Sequence, residues 1–288
     1  MNLGRVGIWS PELRFGPAEA SAEAAAELDE AGFRAIWLPG FGRNSDLFQV
    51  SENHLRSTTR AVVITAVLGI FGASPAESAA NHVRLRGAYD GRFVLGLGWS
   101  SAETARKVGG RTVLRPVQDV AEYLDALDGQ VPPGERLLAA LGPRMARLGA
   151  ERTLGIHPFL VTPEYAASIR PIIGDRALLA PHVPVVFSRD PREVRARARD
   201  LMAPFFGMPT YGGNLLRQGF TEDDLTHGGT DRLVDALTAW GDADSIAARL
   251  RAHLDAGADH VAVQILGGGP GYPRAEWREL AALTERLA

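Results

Sequence analysis

Residues 93–101, Phe-Val-Leu-Gly-Leu-Gly-Trp-Ser-Ser, join an apolar run to a Gly-x-Gly turn and two serines. Two kinds of chemistry use such a segment. In a dinucleotide-binding turn, glycines let the backbone approach a pyrophosphate at a helix N-terminus. In a barrel strand, Gly96 and Gly98 let the strand end approach a flat ring or a phosphate, with Ser100 and Ser101 supplying hydroxyl and amide donors; the plainer alternative is that the glycines make room for barrel packing. The dinucleotide reading needs a third glycine and an acidic residue at the end of the following strand. Ser101 stands where that glycine belongs, and Asp119 and Glu122 fall in a stretch with helical pattern, so this reading fails twice.

The other groups able to move protons are histidines. His54 and His82 lie in segments with helical pattern, whereas His157 and His182 precede apolar runs and are expected at the bottom of a barrel. Imidazole suits proton transfer near neutrality, but none of the four is singled out by spacing, and the catalytic residue stays open. No His-x-x-x-His pair is present, and the chain has no cysteine, so neither a zinc site nor thiol chemistry is expected. Trp9, Trp37, Phe71 and Trp99 lie at or near strand ends, where they could wall an apolar pocket for a small-molecule substrate.

The 288 residues are 45% hydrophobic with a formal charge of -3, which lacks the basic excess of a nucleic-acid binder. The N-terminal stretch holds no uninterrupted apolar signal core, and no run approaches the roughly 18 residues of a membrane span. A cytoplasmic protein without membrane contact is the expectation.

Short apolar runs alternate with amphipathic stretches along the whole chain. Eight strands are expected, at 6–9, 35–38, 61–68, 93–97, 137–141, 159–161, 183–187 and 260–266. Several lack alternation, as strands buried on both faces of a parallel sheet do. Ser74-Pro75-Ala76-Glu77 and Asp190-Pro191-Arg192-Glu193 combine a capping side chain, a first-turn proline and a glutamate, and Thr162-Pro163-Glu164 is a weaker version. With no linker or repeat, residues 1–288 form one domain. Met208 to Gly229 is too long for an ordinary connection and reads as an insertion carrying short helices between strands 7 and 8. The fold class is α/β, a (β/α)8 TIM barrel with its site at the C-terminal strand ends.

Asp90 to Ser101, "DGRFVLGLGWSS", resembles the fourth-strand signature of the bacterial-luciferase-like flavin and deazaflavin oxidoreductases. "GFRAIWLPG" (32–40), "TRAVVITAVLGIF" (59–71), "LLAALGPRM" (137–145) and "AHLDAGADHVAVQIL" (252–266) extend the resemblance along nearly the whole chain. Residues 156–165 and 219–250 are similar to the actinobacterial branch that uses coenzyme F420.

The resemblance implies a luciferase-like TIM barrel, usually a homodimer, that holds an isoalloxazine-type ring at the strand ends. It implies a bulge after strand 3 with a non-proline cis bond at Ala66-Val67, supporting the ring together with Gly96, Gly98, Trp99 and Ser100. The cofactor's phosphate would be gripped by the loop at Leu141 and Gly142 and by Thr162, with Arg144 and the glycines at 267–269 as further places for an anion. Many relatives carry an acidic residue and a histidine after strand 2, and some a glutamate after strand 4. This chain has Pro39-Gly40-Phe41 and Ser101 there, so those catalytic roles are not carried over. The function implied is F420-dependent hydride transfer with an organic substrate. The alternatives are an FMN-dependent monooxygenase and a cofactor-binding barrel without activity.

Overall fold

In the computed structural model, which describes residues 1–40, 46–267, 269, 271–284 and 286–287, strands and helices alternate along the chain. The first half runs β1 (Val6–Trp9), α1 (Pro11–Phe15), α2 (Ala18–Glu30), β2 (Ala35–Leu38), α3 (Leu47–Ser57), β3 (Val62–Thr65), β4 (Leu68–Gly69), α4 (Pro75–Ala88), β5 (Phe93–Gly98), α5 (Ala102–Lys107) and α6 (Pro116–Leu127). The second half runs β6 (Arg136–Leu138), α7 (Pro143–Arg152), β7 (Gly155–Ile156), α8 (Pro163–Ile173), β8 (Leu178–Leu179), β9 (His182–Val186), α9 (Pro191–Phe206), α10 (Pro209–Arg217), α11 (Asp231–Leu237), β10 (Ala239–Trp240), α12 (Ala243–Asp255), β11 (Val261–Ile265) and α13 (Arg274–Thr284).

The strands pair in the order β10-β9-β11-β1-β2-β3-β5-β6-β7-β8, with β4 also beside β5. Only Ala180 and Pro181 separate β8 from β9, so the two ends of this path meet in one stretch of chain. The His182 amide donates to Pro158 O at 2.9 Å on one side, and Ala262 N donates to Pro181 O at 2.9 Å on the other. The sheet thereby closes into a parallel barrel.

Successive strand residues point to opposite faces, and the barrel core divides accordingly. Ile8, Ile36, Val63, Leu95 and Val263 join the layer between strands and helices. Their neighbours Trp9, Trp37, Ile64, Val94 and Ala262 join a separate interior cluster. Both faces are apolar because both are covered. The helix starts follow the caps in the sequence: Ser74 Oγ accepts from Glu77 N, Asp190 Oδ1 from Arg192 N and Thr162 Oγ1 from Tyr165 N.

Two strand expectations are corrected. Phe159–Val161 is not a strand; the sixth barrel strand is Gly155–Ile156, because the apolar run around Phe159 is buried by packing across the barrel mouth rather than by ladder pairing. The expected strand 61–68 is broken into β3 and β4 by a bulge. Residues 208–229, between β9 and β11, hold α10 and a 3-10 turn at Asp223–Leu225. No helix among the described residues is long and apolar enough to cross a membrane.

Candidate cofactor and substrate site

The bulge follows from strand register. Ile64 pairs with Val94 and Leu68 with Leu97, so four steps along the third barrel strand oppose three along the fourth. The extra residue falls at Ala66-Val67, whose peptide bond is cis. Thr65 bridges the interrupted ladder, its Oγ1 donating to Gly96 O and accepting from Gly96 N, both at 2.8 Å.

Three glycines give the bulge its room. A Cβ on Gly40 would lie 1.9 Å from Val67 O, one on Gly96 would lie 1.8 Å from Thr65 O, and one on Gly98 would lie 2.6 Å from Val67 Cγ2. Gly96 and Gly98 therefore serve the neighbouring strand first, which is the packing role weighed for them in the sequence. The bulge stands at the C-terminal end of the strands with Val67 half-buried, beside half-buried Ala139.

Below it the barrel is filled by aromatic and imidazole rings. Trp37 stacks on His157 with ring centroids 4.6 Å apart, and His182 stacks on Phe159 at 4.2 Å and meets Trp9 edge-on at 4.8 Å. The expectation that His157 and His182 sit at the bottom is corrected: both lie within the barrel, His157 because it follows a strand that begins four residues earlier than expected, and His182 because it is itself the first residue of β9. Their Nδ1 and Nε2 atoms bond to Ala180 O (2.7 Å) and Gln264 Oε1 (2.9 Å) respectively. Burial holds His157 down to about 4, and burial with the neighbouring His157 holds His182 down to about 3. Both are neutral at pH 7, and Trp9 and Trp37 are sealed beneath the mouth at 1% and 0% exposure.

The aromatic wall is instead built from residues the sequence reading passed over. Phe159 touches both the barrel interior and the cluster formed by α9 and α10. Phe205 lies 5.2 Å from it, and Tyr211 meets both Phe205 (5.0 Å) and Phe159 (6.1 Å) edge-on. Helix α10 is pinned over the mouth by Gln218, just past its end, whose Oε1 accepts from Thr162 N at 3.0 Å.

A second feature lies on the strand 5 side. Gly142 is the N-cap of α7, with extended backbone and no side chain capping the helix. A Cβ on Gly142 would find only Arg217 Nη2 within 4 Å, at 3.9 Å. Arg217 donates to Asn214 Oδ1 at 3.2 Å, and among the described residues Arg217 has no carboxylate partner and the buried Asn214 Nδ2 no hydrogen-bond partner. Tyr165 fixes the loop by donating to Leu141 O at 3.0 Å; burial raises its pKa, with the Arg217 charge opposing. An open helix N-terminus facing an arginine is suited to an anion. Thr162 is 4% exposed; its amide is taken by Gln218 and its Oγ1 caps α8.

Other expected site residues fall elsewhere. The Trp99 indole lies on the helix side of its strand, donating to Asp119 Oδ2 at 2.9 Å and meeting Phe71 edge-on at 6.1 Å. Neither therefore walls the barrel axis. Ser100 is exposed with φ 76°, and Ser101 caps α5 by accepting from Thr104 N. Arg144 is exposed in the first turn of α7. His54 and His82 are buried in α3 and α4, away from the mouth. Phe41 and Gly268 lie outside the described residues; Gly267 and Gly269 follow β11. No group of three or more His, Asp or Glu residues able to hold a metal ion occurs among the described residues. The signals for Phe159, Tyr211 and Arg217 were weak because two lie in the insertion and the third in an apolar run that imitates a strand.

Residues 5–137 match the luciferase-like monooxygenase family. The match bears out the resemblance read around Asp90–Ser101. No curated protein matches the chain. Among solved structures, an F420-dependent secondary alcohol dehydrogenase in complex with an F420-acetone adduct is 12% identical, with a TM-score of 0.78 over 98% of this chain and 99% of that one. The coenzyme F420-dependent tetrahydromethanopterin reductase of Methanopyrus kandleri is 16% identical, with a TM-score of 0.71 over 97% of each chain. The FMN-bound oxygenating constituent of 3,6-diketocamphane monooxygenase from Pseudomonas putida is 13% identical, with a TM-score of 0.73 over 99% of this chain and 98% of that one. The luciferase-like TIM-barrel fold is common to all three.

Proposed function

We propose that the chain is an F420-dependent oxidoreductase of the luciferase-like class. The observation that carries this reading is the pairing, at one barrel mouth, of a glycine-cradled strand 3 bulge with an uncapped helix N-terminus beside Arg217. The residues present fit a flat ring with a phosphate-bearing tail. Gly142, the first-turn amides of α7 and Arg217 would hold the anion, and the backbone at Ala66-Val67 would stand beside the ring. A bound deazaflavin supplies two-electron hydride chemistry because its reactive ring position is carbon. The protein's part is to orient ring and substrate and to exclude water with the apolar rings of the mouth.

The similarity of residues 156–165 and 219–250 to the deazaflavin-using branch supports F420 over FMN, while the structures of like fold include users of both cofactors. Titration of the purified protein with F420, and separately with FMN, following ring absorbance or fluorescence at fixed salt, tests the reading. Selective saturation by F420 is expected. Preference for FMN would move the chemistry to oxygen activation, and binding of neither would overturn the proposal.

A further inference from the structure

Tyr211 sits half-buried over the barrel mouth, edge-on to Phe205 and Phe159, and its hydroxyl has no hydrogen-bond partner among the described residues. Phe159, also half-buried, is backed by His182, whose stacked imidazole holds the ring in place. A phenol that reaches the mouth without a protein partner can exchange its water hydrogen bond for one to a ligand, and such groups in a mouth are natural recognition points. Burial alone raises the Tyr211 pKa, so the group is a neutral phenol across the physiological range, a donor as well as an acceptor.

The charge distribution narrows what this corner can receive. The neighbouring imidazoles are neutral, and Arg217, carried on the same helix, faces the Gly142 loop rather than the aromatic rings. An anionic or cationic substrate would find no counter-charge here among these groups. A flat apolar body would pack against Phe159, Phe205 and Tyr211, where ring pairs gain from edge and offset contacts beyond their buried area.

We infer that Phe159, Phe205 and Tyr211 form a substrate clamp for an uncharged aromatic ring compound bearing one neutral oxygen, a ketone or alcohol, with the Tyr211 hydroxyl as its specificity-determining hydrogen-bond partner. This rests on the proposed oxidoreductase function, for which such an oxygen marks the carbon that gains or loses hydride. The clamp sets which molecule is held and how its oxygen is turned.

Binding of three probes tests it: acetophenone, cyclohexyl methyl ketone and cumene, each titrated by calorimetry into the full-length protein with and without F420. Acetophenone is expected to bind more tightly than either of the others. Tyr211→Phe is expected to weaken acetophenone about fivefold and leave cumene unchanged, the loss of one hydrogen bond. Phe159→Leu is expected to weaken acetophenone more than cyclohexyl methyl ketone. Thermal unfolding of both variants close to that of the parent protein would exclude a general folding defect. Unchanged acetophenone affinity in Tyr211→Phe, or equal binding of the two ketones by the parent protein, would overturn the clamp. If F420 fails to bind while acetophenone still responds to Tyr211→Phe, the oxidoreductase reading falls and the clamp stands; saturable F420 binding with a silent Tyr211→Phe gives the reverse.

Discussion

The indole N–H of Trp37 donates to His260 Nε2 at 3.1 Å, inside the barrel. Because that nitrogen accepts, the proton of the neutral ring lies on Nδ1, which donates to Gly4 O at 2.8 Å. The first bond thus fixes a tautomer, and the two together tie the N-terminal segment to the second strand. Gly7 makes the space for it, since a Cβ there would lie 2.7 Å from His260 Nε2 and 2.8 Å from Trp37 Nε1.

Gly7→Ala should therefore destabilise the fold by about 1–3 kcal/mol, the usual cost of overpacking a filled interior. Urea unfolding compared with the parent protein checks this. Equal stability would mean that the indole and imidazole can part without cost.

The barrel histidines predict acid sensitivity. Burial holds His157 and His260 down to about 4 and His182 down to about 3, whereas in the unfolded chain each takes up a proton near pH 6.5. The unfolded state thus binds more protons below that pH. Stability is full above pH 6.5 and is lost as pH falls from there toward 4 and 3, by up to about 1.4 kcal/mol per pH unit for each ring. Denaturation midpoints at pH 7.5, 6 and 5 measure it, and a flat profile across that range would contradict the buried neutral rings.

Gly98 and Val67 should be energetically coupled. Gly98→Ala brings a methyl group to 2.6 Å from Val67 Cγ2 and is expected to cost about 1–3 kcal/mol. Adding Val67→Ala should return part of that cost, which a double-mutant cycle reads directly. Strict additivity would show that the bulge shifts instead of clashing.

Arg217→Ala should weaken binding of a phosphate-bearing ring cofactor about 10–100-fold, as expected for a lost charge-assisted hydrogen bond. Gly142→Asp should weaken it through crowding and repulsion. Fluorescence titration of F420 at two salt concentrations checks both. Unchanged affinity in both variants would remove the anion from the α7 loop.

Much of the architecture was legible because parallel strands buried on both faces leave uninterrupted apolar runs, and capping residues such as Ser74 and Asp190 mark where helices begin. Phe159 misled because burial against His182 and Phe205 gives the same local composition as burial in a sheet. The site was less legible. The glycines of the fourth strand stand out in the sequence, but their first task is to accommodate Val67, a relation between strands that no local pattern displays. Tyr211 and Arg217 sit on a helix whose place over the mouth is set by the bond from Thr162 N to Gln218, 56 residues apart in sequence.

The three-glycine cradle also bears on how such a chain can vary over time. Positions 40, 96 and 98 answer to one bulge, and what they must supply is empty space, which side chains elsewhere cannot provide. A side chain at any one of them obliges Thr65 or Val67 to move. The shape of the mouth is thus held by three absences rather than by any single contact.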